Sequence, residues 1–241
     1  MDVTLDGVKI QYELVRSNRK TVAIKLSEDG NIKVSAPFGV TQNQIDEIIK
    51  DKLSWILKKQ QELKKLYREK NVKRTFENGE RISYLGKEYF LEIVEVIEDS
   101  KPKVVINDGN MVIYINERCI VKDKSREIRN IIKMWLVERF RDIAIERIEK
   151  YKSIIRVSPK KITIREQKTR WGSCSSKGSI NLNWKLVMAP MEVLDYVIVH
   201  ELCHMREMNH SKNYWKIVSS IMPDYTEHRK WLKENGHKLG I

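Results

Sequence analysis

The stretch VIVHELCHMREMNH, Val197–His210, decides how the chain is interpreted, because it holds three of the protein's five histidines. Residues four apart in a helix share one face, so a helix here would bring the imidazoles of His200 and His204 close enough to bind one ion. Glu201 would then reach a water molecule at that ion. This is the H-E-x-x-H pattern, in which two histidines bind zinc and the glutamate is the general base.

A third ligand must come from outside that helical turn, and His210 lies six residues beyond His204. The spacing matches the metzincin pattern H-E-x-x-H-x-x-G-x-x-H, although Glu207 stands at the glycine position. We therefore expect the chain to turn through Asn209, a residue type that tolerates left-handed backbone geometry. Glu227 is a weaker rival for the third position, since some zincins take a downstream glutamate.

The alternative interpretation is a histidine-rich helix without a metal. The helix is otherwise apolar, and burying His200, Glu201 and His204 without a partner would be costly. A bound ion, predicted as one zinc per chain, accounts for all three, although three imidazoles also suit other transition metals. Cys203 faces about 100° away from His204 and is predicted to pack in the core. His228 and His237 are predicted to be surface residues.

The rest of the chain predicts an α+β fold, with antiparallel strands segregated from helices. Turns at Asp29-Gly30, Gly86 and Asp108-Gly109 predict three hairpins, and SCSSKGS marks the turn of a fourth. Helix starts are predicted at residues of capping or first-turn type, namely Thr41, Ser125, Pro190 and Ser211. We expect a β-rich N-terminal region with one long helix over 1–122 and a catalytic region over 123–241.

Composition bounds the remaining function classes. Net charge is +13, which permits a nucleic-acid partner, although the lysines are interspersed with glutamates as on an ordinary solvated surface. The three scattered cysteines contain no C-x-x-C pair, which excludes a four-cysteine zinc site and is unlike a disulfide framework. No apolar run is long enough to cross a membrane, and the N-terminus is unlike a secretory signal, so we expect a cytoplasmic protein.

The segment RWGSCSSKGSINLNWKLVMAPMEVLDYVIVHELCHMREMNHSKNYW, residues 170–215, closely resembles the YgjP-like metal-dependent hydrolases, which are related to the SprT and WLM zincin-like peptidases. The segment KTVAIKLSEDGNIKVSAPFG resembles the family's N-terminal hairpin, so the family domain is expected over about 18–238. The resemblance implies a zincin-like core, with an active-site helix beside a small sheet. It also implies hydrolysis of peptide or amide bonds, with His200, His204 and His210 holding zinc and Glu201 catalytic.

The resemblance also places the hairpin beside the metal helix, so Arg170, Trp171 and Ser173 are expected to shape the cleft. Three residues are candidates to stabilise the oxyanion of the transition state, and the sequence leaves the choice open: Arg170, Tyr196 and Tyr214. Asp195 and Glu207 are candidates to orient the imidazoles. The tryptophans Trp184, Trp215 and Trp231 are predicted to be core residues.

Three alternatives stay open at this stage. A nucleophile at Ser173 or Cys174 is disfavoured because GSCS lacks the strand-to-helix elbow of G-x-S-x-G enzymes. A nucleic-acid-associated protein, including a protease acting on DNA-bound proteins, would use the basic surface, although no helix-turn-helix, zinc-finger or RNA-binding signature appears. A purely structural zinc would leave Glu201 without a role.

Overall fold

The computed structural model describes residues 1–5, 7–27, 29–70, 74–97, 101–116, 123–167 and 169–241. The chain divides into two compact units, Met1–Lys73 and Arg74–Ile241. The boundary expected after residue 122 therefore falls inside the second unit. The reason is a shared core: Ile82, Leu91 and Met111 are buried in one cluster with the helices that follow them.

The first unit is a four-stranded sheet followed by two consecutive helices. Its strands are β1 (Asp2–Leu5), β2 (Val8–Ser17), β3 (Ala23–Leu26) and β4 (Ile32–Pro37), and its helices are α1 (Gln42–Asp51) and α2 (Leu53–Lys70). Thr41 caps α1 as predicted, through a capping box with Gln44. The single predicted helix is interrupted at Lys52. A small core fills this unit: Ile10, Tyr12, Ile32, Val34, Ala36, Ile45, Ile49 and Ile56.

The second unit begins with another four-stranded sheet, built from β5 (Arg81–Tyr84), β6 (Lys87–Val96), β7 (Lys103–Asn107) and β8 (Asn110–Asn116). Its order β5-β6-β8-β7 repeats the order β1-β2-β4-β3 of the first sheet. The predicted hairpins are confirmed, but the purely antiparallel arrangement is wrong, because β2 pairs with β4, and β6 with β8, in parallel. Glycine turns specify pairing within a hairpin, whereas pairing between hairpins depends on contacts distant in the sequence.

The long helix α3 (Lys124–Ile155) follows this sheet and lies at the centre of the second unit. Its N-cap is Asp123, whose side chain accepts a hydrogen bond from the Arg126 amide at 3.1 Å, so the predicted start at Ser125 is two residues too late. Its core face repeats every three or four residues, as a buried helical stripe requires: Ile128, Ile132, Leu136, Phe140, Ala144, Ile148, Tyr151 and Ile155. Within the described residues, no helix is both long and apolar enough to span a membrane.

The remaining elements frame the histidine segment. A small sheet of order β10-β11-β9 contains β9 (Lys161–Arg165), β10 (Gly172–Cys174) and β11 (Ser179–Asn183), followed by a 3-10 turn, Trp184–Met188. The predicted turn at SCSSKGS is present and joins β10 to β11. The predicted hairpin partner of β11 is wrong, because the strand with Ile162 and Ile164, β9, pairs with β11 in parallel. Three helices complete the unit, together with a short 3-10 turn at Gly236–Lys238: α4 (Met191–Cys203), α5 (Lys212–Ile221) and α6 (Tyr225–Asn235).

The start of α4 is held against the second sheet by the β5–β6 turn. The Leu85 amide donates to the Val187 carbonyl at 2.7 Å, and the Gly86 amide donates to the Met188 carbonyl at 3.3 Å. Gly86 has φ +76°, and a Cβ there would lie 2.9 Å from Pro190 Cα. Both the left-handed backbone and the close approach therefore require glycine at this turn.

The middle of α4 is tied to α3 by a buried ion pair. Asp195 accepts from Arg147 Nε at 2.6 Å, from a second guanidinium nitrogen, and from the Tyr151 hydroxyl at 2.9 Å. The side chains are 19% and 6% exposed for Arg147 and Asp195, so removing one partner would cost about 3–5 kcal/mol. The prediction that Asp195 orients an imidazole is wrong, because its carboxylate binds Arg147 and Tyr151 of α3.

Candidate metal centre

Helix α4 carries the first two histidines and is buried on nearly every side, from Val193 to Val199 and from Glu201 to Cys203. It ends at Cys203, earlier than the predicted end at Met208, with His204 as its C-cap. The chain then forms a tighter turn, in which the Met205 amide donates to the carbonyl three residues earlier, that of Leu202, at 3.0 Å.

The described cysteines are not ligands of this site. Cys203 is fully buried in the core, as predicted. Cys174 and Cys203 are free, and Cys119 lies outside the described residues.

The turn that returns His210 to α4 uses side-chain capping and not left-handed backbone. In the part of the chain that the structure describes, the four non-glycine residues with positive φ all lie outside this turn, so the expected role of Asn209 is wrong. Its side-chain oxygen instead accepts from the Ser211 amide at 3.1 Å. The helix predicted to begin at about Ser211 is α5, and Ser211 is its N-cap, with its hydroxyl accepting from the Tyr214 amide at 3.2 Å. His210 is thereby held immediately before a capped helix.

The three histidines converge. One ring nitrogen from each of His200, His204 and His210 lies within 4.8 Å of the others, and Nε2 of His210 is 3.1 Å from Nε2 of His200. His204 Nδ1 lies 3.2 Å from the Glu207 carbonyl oxygen. A carbonyl oxygen can only accept a hydrogen bond, so Nδ1 carries the proton and the lone pair of Nε2 is available to a metal. Glu207 thus orients an imidazole as predicted, through its backbone. No other such group of His, Cys, Asp and Glu occurs among the described residues, and Glu227 is outside it.

The electrostatics favour neutral imidazoles at this point. Burial, followed by the neighbouring His204 and His210, lowers the pKa of His200 to about 3. Burial also lowers the pKa of His204. Nδ1 of His200 is buried and has no hydrogen-bond partner in the described part of the chain. Neutral nitrogen donors that converge without a compensating proton donor fit a transition-metal ion, and a set of three imidazoles is one that zinc takes.

Two aromatic residues of α5 form a wall behind the imidazoles. The Tyr214 ring stacks on His204 with centroids 4.6 Å apart, and Trp215 stacks on His210 at 5.5 Å. The Tyr214 hydroxyl donates to the His200 carbonyl at 2.9 Å, and its side chain is fully buried. Because that hydroxyl already donates its proton to the His200 carbonyl, the expectation that Tyr214 stabilises an oxyanion is not supported. Tyr214 is instead a residue that positions the imidazoles.

Glu201 is buried against the small sheet, where it is 5% exposed. A Cβ on Gly172 of β10 would lie 2.5 Å from Oε1 of Glu201 and 2.6 Å from its Cγ, so only glycine leaves room for this carboxyl group. Burial raises the pKa of Glu201 to about 8, and the nearby Arg170 opposes that shift. A cation held by the histidines would favour the carboxylate form further. The role of Gly172 was not predicted from the sequence, although glycine inside a strand often marks such a close approach.

We expect Gly172→Ala to lower peptide hydrolysis by about 100-fold while leaving metal content unchanged. The added methyl group must displace the Glu201 carboxyl group, and an error of about 1 Å in a reacting group can cost that much. The measurement is kcat/KM alongside elemental mass spectrometry. Ser173→Ala, in the same strand, is the matched control and should keep near wild-type activity. Loss of activity in the control would instead support the nucleophile alternative.

The loop before β10 is organised by Asn183, a residue of the NLNW motif. Its side-chain Nδ2 donates to the Gln167 carbonyl at 2.9 Å and to the Arg170 carbonyl at 3.0 Å. Its backbone N–H donates to the Trp171 carbonyl at 2.8 Å. Ser173 Oγ accepts from the Asn181 side chain at 3.1 Å, and no histidine bonds to it in the described ranges. A serine nucleophile therefore has no adjacent base.

A cleft of about 350 Å³ opens between this loop, α4 and α6, and His200 and Glu201 both line it. Arg170, Trp171 and Tyr196 line it as expected, whereas Ser173 and Tyr214 do not. Two basic residues of α6 that sequence analysis missed also line it, Arg229 and Lys233. No local pattern could have identified them, because they are separated from the motif by a full helix.

The other aromatic and histidine predictions have mixed outcomes. Trp184 is buried as predicted, and Trp231 is partly buried against the core. Trp215 is also partly buried, but its ring stacks on the His210 imidazole in addition to packing against the core. His228 and His237 are only partly exposed, and His228 Nε2 lies 3.2 Å from Asp224, one turn earlier in the chain.

Comparison with known proteins identifies the family of this chain. The profile of the YgjP-like metallopeptidase domain matches residues 20–235, close to the expected 18–238. Among solved structures, the metallopeptidase zymogen of Pyrococcus abyssi abylysin shares 26% sequence identity over 37% of this chain and 93% of that one, with a TM-score of 0.34, which is too low to carry an argument about the fold. No curated protein sequence matches significantly. The profile covers most of both units, and the chain therefore belongs to the YgjP-like family of metallopeptidase domains, which are metal-dependent hydrolases.

Proposed function

We propose that this chain is a zinc-dependent peptidase that hydrolyses peptide or amide bonds, with one zinc held by His200, His204 and His210 in a zincin-like core. The observation that supports the proposal is the convergence of three imidazole nitrogens within 4.8 Å, beside the buried carboxyl group of Glu201. Helix α4 beside the small sheet supplies the arrangement that the family resemblance implies.

Zinc, when bound, would supply the Lewis acidity that makes water nucleophilic near neutral pH and polarises a carbonyl group. The chain supplies the proton transfers. Glu201 takes a proton from the attacking water and delivers it to the leaving nitrogen. Its environment suits this role, because burial raises the pKa of the carboxyl group whereas Arg170 and a cation at the histidines oppose that rise, so the group can both accept and release a proton near neutral pH.

The transition-state oxyanion needs a donor from the chain, and two residues qualify. Arg170 and Tyr196 both line the cleft next to Glu201. The Tyr196 hydroxyl makes no hydrogen bond to any described residue, and burial raises its pKa to about 12, so it stays a proton donor at neutral pH. Arg170 is exposed and always charged. We assign oxyanion stabilisation to this pair and cleft shaping to Trp171.

The direct test is peptide hydrolysis before and after metal removal. We expect the purified chain to cleave members of a fluorogenic peptide library, to lose that activity on dialysis against a chelator, and to regain it with stoichiometric zinc. Circular dichroism of the chelated protein separates this result from a purely structural zinc, whose removal would unfold the second unit. Undiminished cleavage by the chelated protein, or no cleavage by the zinc-loaded protein, would contradict the proposal.

Nucleic-acid binding, predicted from the net charge of +13, is a second proposal, and so is a cytoplasmic location. An electrostatic interface with DNA or RNA would show a steep fall of the association constant with salt concentration. A binding constant that does not change between low and high salt would contradict it.

A further inference from the structure

The cleft beside Glu201 has an excess of positive charge. Arg170, Arg229 and Lys233 line it, and Glu201 is the single acidic residue among the side chains that do. The cleft also reaches His200, so any group that enters it lies next to the reacting atoms. Its charge therefore bears directly on which substrates the site accepts.

These basic side chains form no close ion pair with the described part of the chain. No carboxylate in the described ranges lies within 4.0 Å of the charged nitrogens of Arg170, Arg229 or Lys233. Elsewhere in the second unit, basic residues near the core are paired, as Arg147 is with Asp195 and as Lys133 and Lys185 are with Glu166. Arg229 and Lys233 are therefore available to pair with an acidic group of a substrate, whereas Arg170 also interacts electrostatically with Glu201.

Arg229 is exposed, but its guanidinium packs against an aromatic ring. Its guanidinium carbon lies 5.1 Å from the centroid of the Trp215 ring, and the same ring system stacks on His210 at 5.5 Å. Trp215 is stacked in turn on Tyr225 at 5.1 Å. The guanidinium is therefore fixed relative to the imidazoles by a stack of rings. Lys233 follows one turn later on the same face of α6.

The cleft also has apolar lining. Val197 and Leu232 are buried there, and Trp171 lines it as well. The three basic side chains are exposed, so a carboxylate can reach them from solvent. Guanidinium groups also match the geometry of a carboxylate, to which they can donate two parallel hydrogen bonds.

We propose that this cleft binds a carboxylate of the substrate next to the scissile bond, with Arg229 as its principal donor and Lys233 as a second cation. The inference rests on the proposed peptidase function. The carboxylate has two sources with the same chemistry, the C-terminus of a peptide or the side chain of aspartate or glutamate. The first would make the enzyme a carboxypeptidase and the second an endopeptidase selective for acidic residues.

The experiment uses four matched peptide pools on the zinc-loaded protein. They carry either glutamate or glutamine at one scanned position, and either a free or an amidated C-terminus. Arg229→Gln and Lys233→Gln remove the proposed donors. Lys230→Gln is the matched control, because it removes one charge from the same helix at an exposed position outside the cleft. Thermal melting verifies that each variant is folded.

We expect Arg229→Gln to lower kcat/KM for the preferred acidic peptides by about 10- to 100-fold, with less than a threefold change for neutral peptides and none in the control. A preference that amidation removes identifies the C-terminal carboxylate, and one that glutamine removes identifies the side chain. Arg229→Glu should reverse the preference toward lysine-containing peptides. Equal cleavage of acidic and neutral peptides, or an equal loss for both in Arg229→Gln, would overturn the inference while leaving the proposed function intact.

A binding measurement decides the inference without turnover. Fluorescein-labelled versions of the same peptides are titrated with the Glu201→Gln protein, and their anisotropy is recorded with and without the Arg229→Gln change. Tighter binding of the carboxylate-bearing peptides that depends on Arg229 supports the inference. Equal binding overturns it. If the zinc-loaded wild type cleaves no peptide, the proposed function fails, and this titration still shows whether the cleft selects carboxylates.

Discussion

Replacing Glu201 by glutamine is expected to lower kcat for peptide hydrolysis by about 10²- to 10⁴-fold without changing zinc content. The amide cannot accept the proton of the attacking water, yet it has nearly the shape of the carboxyl group that Gly172 accommodates. It also leaves His200, His204 and His210 in place. The measurement combines single-turnover hydrolysis with elemental mass spectrometry on the same preparation.

The matched control for this change is Glu207→Gln. Glu207 lies in the turn between the histidines, but it contributes its backbone carbonyl and not its carboxylate to His204. Losing that negative charge should change kcat by less than about threefold. If the Glu201 variant kept wild-type kcat with full zinc, Glu201 would not be the general base and the zinc would be structural.

Replacing His210 by alanine is expected to weaken zinc binding by more than about 100-fold, because it removes one of three ligands, and ligand residues affect affinity more than the groups that orient them. The rings of His200 and His204 stay in place on α4 and against Tyr214. Zinc content of protein purified without a histidine tag, followed by competition with a chelator of known affinity, measures the change. Hydrolysis should fall in proportion to zinc occupancy.

His228→Ala is the control for nonspecific effects of removing a histidine, since His228 pairs with Asp224 on α6 and lies outside the cluster. Its zinc affinity should equal that of the wild type. Glu227→Ala tests the rival third ligand. Retention of zinc by His210→Ala, together with its loss from Glu227→Ala, would show that the third ligand has been assigned wrongly.

Local sequence patterns predicted those parts of the molecule whose cause is itself local. The four-residue spacing of His200 and His204 needs only a helix, and the predicted cap at Thr41 and helix start at Ser211 depend on amides three residues away. The hairpin turns follow from glycine and aspartate at specific positions. The third histidine was also found from spacing, although the turn that brings it back is made by Asn209 and Ser211 side chains and not by left-handed backbone.

The type of chemistry could be predicted from a local pattern, because the residues that would hold a metal and move a proton lie within eleven positions of one another, from His200 to His210. The surroundings of these residues depend on tertiary packing. Gly172 meets Glu201 across a sheet-to-helix contact, Asp195 turns away to Arg147, and Arg229 reaches the cleft from α6. Each of these depends on packing between elements far apart in the chain, and such packing has no periodic signature within a single element.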